Sequence, residues 1–367
     1  MNKKITDGYL LFLLILISFC GLTAVYTSVF SFDNAFSYLK MQSLAFAIGF
    51  ACFFILGLFK PHIFKKCAPI IFIVSVAALV AVLIFGTGLK ETGGQSWIKI
   101  GNISFQPSEF VKIAFIITFS AHLTKVRDNI NSAKVLSLLL LHAAVFIVLI
   151  ALEPDIGTAL VFVFITVSML FFAGLSWKYF TIDGLLFIIS MPVMWALLKN
   201  YQKNRILVFL NPELDPTGYG YNVIQSKLAL GSGKIFGQGF LQGKITQGEM
   251  LPSKHTDFIF SVIGEEFGLI GCIIVTVILL LIIMRLFSIG IRSKDTFSGL
   301  MSCGLSAMLL FHTFINIGMC IGLMPVTGIP LPFISYGGSS VIANFAAAGL
   351  ASATYAHTNG RAKGRKR

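Results

Sequence analysis

The stretch "LPSKHTDFIF", residues Leu251 to Phe260, sets an acid between a basic polar segment and one of the most apolar runs of the chain. Asp257 at this boundary is a candidate general base, able to take a proton from a substrate hydroxyl at a water-facing lip. An aspartate opening a helix also serves as an N-cap, accepting backbone N–H bonds at the positive end of the dipole. The two roles are compatible, because a cap fixes the direction of the carboxylate. His255, two residues earlier, either shares the proton transfer or is an exposed loop histidine.

In "SFQPSEFVKIAF", Pro107, Ser108 and Glu109 form a helix-start signal, and Lys112 follows one turn deeper in an apolar helix. Glu109 and Lys112 lie at i, i+3 and share a face, so they can pair. Ionisable groups inside a membrane are expensive and are functional candidates for that reason. In "ALEPDIGTAL", Glu153 and Asp155 read as a tight polar turn, with Asp155 capping the helix that Gly157 begins. Arg205, Lys227, Lys234, Lys244 and Lys254 form either a solvated basic loop or a wall facing phosphate, to which glycine-rich backbone adds N–H donors. Ser335 and Tyr336 sit in "PVTGIPLPFISYGGSS". Irregular backbone of this kind survives at membrane depth only when buried in protein or lining a cavity, so it reads as a rigid re-entrant turn. "GSGKIFGQGF" lacks the spacing of a nucleotide-binding loop.

These residues need a scaffold, and the composition states which kind. The chain has 367 residues, 56% of them hydrophobic and only 12% charged. Apolar stretches of about 20 residues, the length that crosses the hydrocarbon core, recur throughout. The alternating segments of a membrane β-barrel are not seen. The expected fold is an all-α integral membrane protein forming a single polytopic domain, with about ten transmembrane helices: Gly8–Phe30, Met41–Phe59, Cys67–Gly86, Pro107–Leu123, Ala133–Leu152, Gly157–Gly174, Tyr179–Lys199, Asp257–Leu286, Phe297–Leu323 and Pro332–His357. The N-terminus, although signal-like, reads as an uncleaved first helix. "YNVIQSKLAL", inside the long 200–256 loop, reads as a short amphipathic helix on the membrane surface.

The net charge of +13 comes from basic residues clustered between spans and in the tail 358–367, a membrane-surface pattern rather than a nucleic-acid one. Lys60, Lys65, Lys66, Lys125, Arg127, Lys134, Lys178, Arg285, Arg292 and Lys294 fall on the side of the termini, against Lys40, Lys90 and Lys99 in the short loops opposite. The positive-inside rule therefore makes both termini cytoplasmic and puts the 200–256 loop and Asp257 outside. The six cysteines include no C-x-x-C, so neither a zinc site nor a disulfide framework is signalled.

The runs "GGQSWIKIGNISFQPSEFVKIA", "EPDIGTA", "NPELDPTGYGYNVIQSKLALGSGKIFGQG", "LPSKHTDFIFSVIGEEFGLIG" and "PVTGIPLPFISYGGSS" together resemble the SEDS (shape, elongation, division and sporulation) family, in order and over nearly the whole chain. The likeness is closest to its rod-shape branch. It implies a peptidoglycan glycosyltransferase of the bacterial inner membrane that polymerises lipid II into glycan during elongation, releasing undecaprenyl pyrophosphate. It also implies a class B penicillin-binding protein and other elongation-complex proteins as partners, and dependence on a divalent cation such as Mg or Mn. On this resemblance Asp257 is the essential acid, Trp97 and Glu109 are functionally sensitive, and Lys112 is the lysine after QPSE. Three departures stand out: Ser96 where Arg is usual, Glu153 where Gln is common, and Ser253-Lys254 where Pro-Glu is common. Alternatives are a lipid II flippase using Glu109 and Lys112, the division-septum paralogue with the same chemistry, and a scaffold for other wall enzymes.

Overall fold

The computed structural model describes residues 6–88, 95–101, 103–197, 200–215 and 218–364. Lys3, Lys4, Lys90 and the last three residues of the basic tail lie outside these, and Arg205 and the tail from Asn359 to Gly364 are described in backbone only. Apolar runs with no water to bond to must satisfy their peptide groups internally, and they do so as helices. In chain order the elements are α1 (Gly8–Val29), α2 (Ala35–Leu58), α3 (Pro61–Phe85), a hairpin of β1 (Ile98–Ile100) and β2 (Ile103–Phe105), α4 (Pro107–Val126), α5 (Ala133–Leu152), α6 (Ile156–Ala173), α7 (Trp177–Leu197), α8 (Asn200–Leu210), α9 (Tyr219–Ser232), α10 (Lys244–Gln247), α11 (Ile259–Arg292), α12 (Thr296–Cys320) and α13 (Gly338–Gly364). The ten long helices match the expected spans, and among the described residues seven of them are long and apolar enough to cross a membrane.

The bundle packs α2 along α13, α11 along α12, α1 against α11, and α12 against α4 and α6. Small residues allow the closest approach: a Cβ on Gly49 of α2 would sit 2.8 Å from the ring of Phe345, and one on Gly349 of α13 would sit 2.8 Å from the carbonyl of Phe53. Asp7, Arg285, Ser352 and Tyr355 meet at one end of the molecule. There the Arg285 guanidinium binds the Asp7 carboxylate at 2.6 and 3.1 Å, the Asp7 N–H donates to Ser352 Oγ, and Tyr355 packs under the guanidinium. The starts of α4, α6, α11 and α13 gather at the other end.

α11 is broken. Gly268 has φ +66° and ψ −164°, a conformation open essentially only to glycine. A break strands helical N–H and C=O groups, and the segment after α9 supplies their partners. Leu269 and Ile270 donate to the carbonyls of Lys234 and Ile235 at 2.9 and 3.2 Å, while Gln238 and Gly239 donate to the carbonyls of Glu265 and Glu266 at 2.8 and 3.1 Å. The side chains of this pair finish the attachment. Glu265 accepts from the N–H groups of Ile245 and Thr246 at 2.8 Å, and Glu266 accepts from Leu241 N–H and Gln247 Nε2 at 3.1 and 2.8 Å.

This docking corrects several expectations. The N–H groups of Gln238, Gly239, Leu241, Ile245 and Thr246 are not offered to a phosphate, because Glu265 and Glu266 of α11 already occupy them. Lys254 is not part of a basic lip: it is 2% exposed, donating to Ser31 Oγ and the Thr246 carbonyl at 2.8 and 2.5 Å. α9 does not lie free on a surface, since Ser226 is buried and bonds the Cys320 carbonyl at 2.8 Å. The last helix starts at Gly338 rather than Pro332, because Pro330, Pro332 and the +63° φ of Phe333 hold the preceding chain in turns.

Gly268→Ala is expected to cost on the order of 1–3 kcal/mol for the backbone conformation, before its overlap with Gly237 and Ile235 is counted. Thermal melting in detergent should fall by several degrees, and limited proteolysis should cut residues 233–247 sooner than in the unmodified protein.

Candidate active site

Asp257 is not a helix cap. It lies in a turn, and α11 begins at Ile259 with Phe258 as a cap residue that makes no side-chain cap bond. Other elements hold it instead. The carbonyl of His255 accepts from Tyr336 N–H at 2.9 Å, that of Thr256 from Ser335 Oγ at 2.6 Å, and that of Asp257 from Asn316 Nδ2 at 2.8 Å. Consecutive carbonyls are thus fixed by the 321–337 connection and by α12. Asn316 reaches the Ile329 carbonyl at 2.8 Å as well, locking the connection to the same point. Ser335 Oγ also accepts from Leu331 N–H at 2.8 Å. Ser335 and Tyr336 therefore position the acid.

The carboxylate of Asp257 faces Gly328, whose missing side chain leaves room beside it: a Cβ there would stand 3.8 Å from Oδ2. The neighbouring Thr327 carbonyl packs on the start of α6, where a Cβ on Gly157 would approach it to 2.7 Å. That contact brings in Asp155, which caps α6 by accepting from Thr158 N–H and Oγ1 at 3.0 and 2.8 Å and takes a further bond from Ser96 Oγ at 3.2 Å. Asp155 is a capping residue with all this capacity spoken for. Trp97 is half-buried, its backbone bridged to Thr87.

Glu109 and Lys112 pair at 2.7 Å, with 3% and 2% exposure. The structure adds a partner to them. Lys112 Nζ stands 3.1 Å from His312 Nε2 on α12. An ammonium can only donate, so Nε2 is the accepting nitrogen and the imidazole is neutral. His312 lies one turn before Asn316 on the same helix, so the buried ion pair and the tether of Asp257 share one rigid element. His312 and Asn316 carried a sequence signal, being polar groups inside an apolar span. Gln106 N–H bonds Ser339 Oγ at 3.2 Å and ties the α4 start to α13.

His255 is not an exposed loop residue. Its ring contacts Phe32, Tyr38 and Tyr336 at centroid distances of 5.8, 5.3 and 5.6 Å. Burial, then the charge of Lys254, hold its pKa below the usual histidine value, so it is a neutral packing group. Arg205 lies on α8, with its side chain outside the described set. Among the described residues no three His, Cys, Asp or Glu side chains converge as metal ligands. The divalent cation implied by the resemblance finds no protein cage among them.

Glu153 is 1% exposed, neither carboxylate oxygen has a hydrogen-bond partner among the described residues, and burial, then Asp155, push its pKa up to about 8. It is protonated in the folded protein at neutral pH. Ionisation in the unfolded chain begins near the ordinary carboxylate value, so folding stability falls as pH rises from about 4.5 toward about 8 and then levels off. Glu153→Gln should remove this slope, with its gain in melting temperature near zero at pH 5 and largest at pH 8. Separately, Lys112→Met leaves Glu109 buried and uncompensated and should cost about 3–5 kcal/mol. The double variant with Glu109→Gln should regain most of that in denaturation experiments; equal instability of single and double would remove the ion pair as the cause.

A family model described as cell cycle protein, covering FtsW, RodA and SpoVE, matches residues 7–360. The peptidoglycan glycosyltransferase MrdB of Escherichia coli (strain K12) is 38% identical over 313 residues, 85% of this chain and 84% of its own. The probable peptidoglycan glycosyltransferase FtsW of Geobacter sp. (strain M18) is 35% identical over 352 residues, 94% of this chain and 95% of its own. Among solved structures, a chain from work on structural coordination of polymerization and crosslinking by a peptidoglycan synthase complex superposes with a TM-score of 0.82 at 29% identity, covering 96% of this chain and 98% of that one. The rod shape determining protein RodA of Thermus thermophilus superposes with a TM-score of 0.71 at 27% identity, covering 97% and 98%. With the match running almost end to end, this multi-pass membrane protein belongs to the FtsW/RodA/SpoVE family, the SEDS family.

Proposed function

We propose that this chain is a peptidoglycan glycosyltransferase that polymerises lipid II during cell-wall elongation, with Asp257 as its general base. The observation that carries the reading is the fixing of Asp257: its own carbonyl and the two before it are bonded to Asn316, Ser335 and Tyr336. A base held this way meets its substrate without first having to be ordered.

The C4 hydroxyl oxygen of the acceptor's N-acetylglucosamine forms a bond to the anomeric carbon of the donor's lipid-linked muramyl sugar. The bond from that carbon to the pyrophosphate breaks, undecaprenyl pyrophosphate leaves with the electron pair, and the hydroxyl proton passes to Asp257. The buried Glu109–Lys112–His312 chain positions α12 and through Asn316 the base; it does not touch the sugars. Exposed lysines of the outer segment offset charge on the leaving group.

The positive-inside pattern supports an orientation with both termini in the cytoplasm and Asp257 at the outer face of the bacterial inner membrane. The end that carries Asp7, Arg285 and Arg292 would then be the cytoplasmic one. The superposition on a chain of a peptidoglycan synthase complex supports a class B penicillin-binding protein as partner, supplying crosslinks to the glycan made here.

Asp257→Asn keeps size and polarity and removes the base. With purified lipid II, its polymerisation rate should fall about 10²- to 10⁴-fold, while melting temperature and detergent elution stay unchanged. Polymer made at the normal rate by this variant would rule out Asp257 as the base. Leaflet exchange without polymer from the unmodified protein would transfer the reading to a flippase.

A further inference from the structure

Beside the break in α11 runs an apolar groove of about 440 Å³, lined by Leu230, Cys272, Thr276, Ile317 and Ile321, with Lys234 at its rim. It lies between α9, α11 and α12 along the wall of the bundle, where Ile273 and Val277 on the same stretch are 51% and 46% exposed. A groove of this kind in a membrane wall fills with a hydrocarbon chain. A phospholipid also ends its acyl chains in a phosphate, so the cation alone does not separate it from a polyprenyl pyrophosphate; the position of the groove does. Lys234 is exposed and is in no ion pair among the described residues, so it is available to an anion. A long apolar tail ending in phosphate matches both features at once.

The position of the groove relative to Asp257 selects which substrate this is. Its upper wall, Ile317 on the last turn of α12 and Ile321 at its C-cap, adjoins Asn316 and Cys320, which contact the Asp257 carbonyl at 2.8 and 3.7 Å. Lys234 is hydrogen-bonded through its carbonyl to Leu269, just past the break. Between Asp257 and Leu269 lies helix 259–267, about 13 Å long at 1.5 Å per residue. In the donor the reacting anomeric carbon is bonded directly to the pyrophosphate, so a donor held at Lys234 would react far from the base. In the acceptor the reacting C4 hydroxyl lies at the opposite end of a disaccharide from the pyrophosphate, a span comparable with the length of that helix.

We infer that the groove between α9, α11 and α12 is the acceptor site for the polyprenyl tail, with Lys234 meeting the acceptor's pyrophosphate and helix 259–267 setting the span to Asp257. The inference rests on the glycosyltransferase reading and adds a division of labour: the acceptor sits on this flank of α11, and the donor approaches Asp257 from elsewhere. The second groove, on the other side of α11, is lined by Phe19, Thr23, Phe236, Phe267 and Ile274 and carries no cation. It serves as an internal control.

The test is a single coupling with the whole purified protein. Lipid II labelled and capped at its C4 hydroxyl acts only as donor, uncapped lipid II with either a full-length or a short prenyl chain is the acceptor, and counting only the first labelled tetrasaccharide separates this coupling from uncapped lipid II donating to itself. Lys234→Gln should raise the KM for the full-length acceptor about tenfold, the scale of one charge-assisted hydrogen bond, and leave the donor KM unchanged. Val277→Trp, which fills the groove, should raise KM for the full-length acceptor and spare the short-chain one. Ile274→Trp in the second groove should do neither. A shift in donor KM instead, equal losses from both tryptophans, or an unchanged acceptor KM in Lys234→Gln and Val277→Trp would overturn the acceptor assignment, the last leaving the groove to phospholipid. Absence of any coupled product from the unmodified protein would be a failure of the glycosyltransferase reading itself, and is distinguished by that control.

Discussion

The structure depends on one constraint: peptide groups that leave helical geometry near lipid must find partners within the protein. α11 breaks at Gly268, and the chain from Gly218 to Asp257 exists in its present form because it repairs that break. Its backbone caps the stranded carbonyls of Glu265 and Glu266, and their carboxylates in turn bind the backbone of residues 241–246. The 321–337 connection meets the same demand from the other side, using Ser335, Tyr336 and Asn316 to bind the carbonyls around Asp257. The acid of the candidate site is therefore held by the same bonds that make irregular backbone tolerable. Rigidity at Asp257 follows from the solvent problem of the bilayer edge.

The same logic explains what was legible in the sequence. Ten apolar runs of membrane length gave the spans, and the i, i+3 spacing of Glu109 and Lys112 gave their pairing. Asp257 stood out as an acid against an apolar run. What sequence spacing does not carry is the partner across the fold. His312 lies 200 positions from Lys112, and Ser335 lies 79 from Thr256. The burial of Lys254 is hidden from the sequence for a related reason. Lys254 and Lys234 sit in the same loop with the same formal charge, yet one is buried over Phe32 and the other is exposed. Only the path of the chain around α11 separates them.

The buried chain Glu109–Lys112–His312 shows how a costly group becomes a structural asset. A lone ammonium at this depth would be prohibitive, and pairing with one carboxylate only offsets the desolvation. The neutral imidazole adds a second acceptor without a second charge. Because the imidazole is on α12, satisfying Lys112 fixes the rotation of that helix relative to α4, and hence where Asn316 points. Replacing the triad with apolar side chains of equal volume would satisfy the membrane just as well but would leave that rotation to packing alone.

The departures at Ser96 and Glu153 make sense together. In the resemblance drawn from the sequence, Arg precedes the tryptophan and Gln precedes "PD". A glutamate at 153 beside such an arginine would ionise. Here the position holds Ser96, which donates a neutral hydroxyl to Asp155, so among the described residues the charge that acts on Glu153 is the negative one of Asp155. Burial and that neighbour keep Glu153 protonated, with its pKa near 8. A protonated glutamic acid has the size of glutamine, with one O–H donor and a carbonyl acceptor, so with Ser96 beside it Glu153 keeps the neutral group that it would have lost beside an arginine. The ledge below the hairpin thus keeps its charge state through a compensating pair, and the capping of α6 by Asp155, on which the contact of Gly157 with Thr327 depends, is left undisturbed.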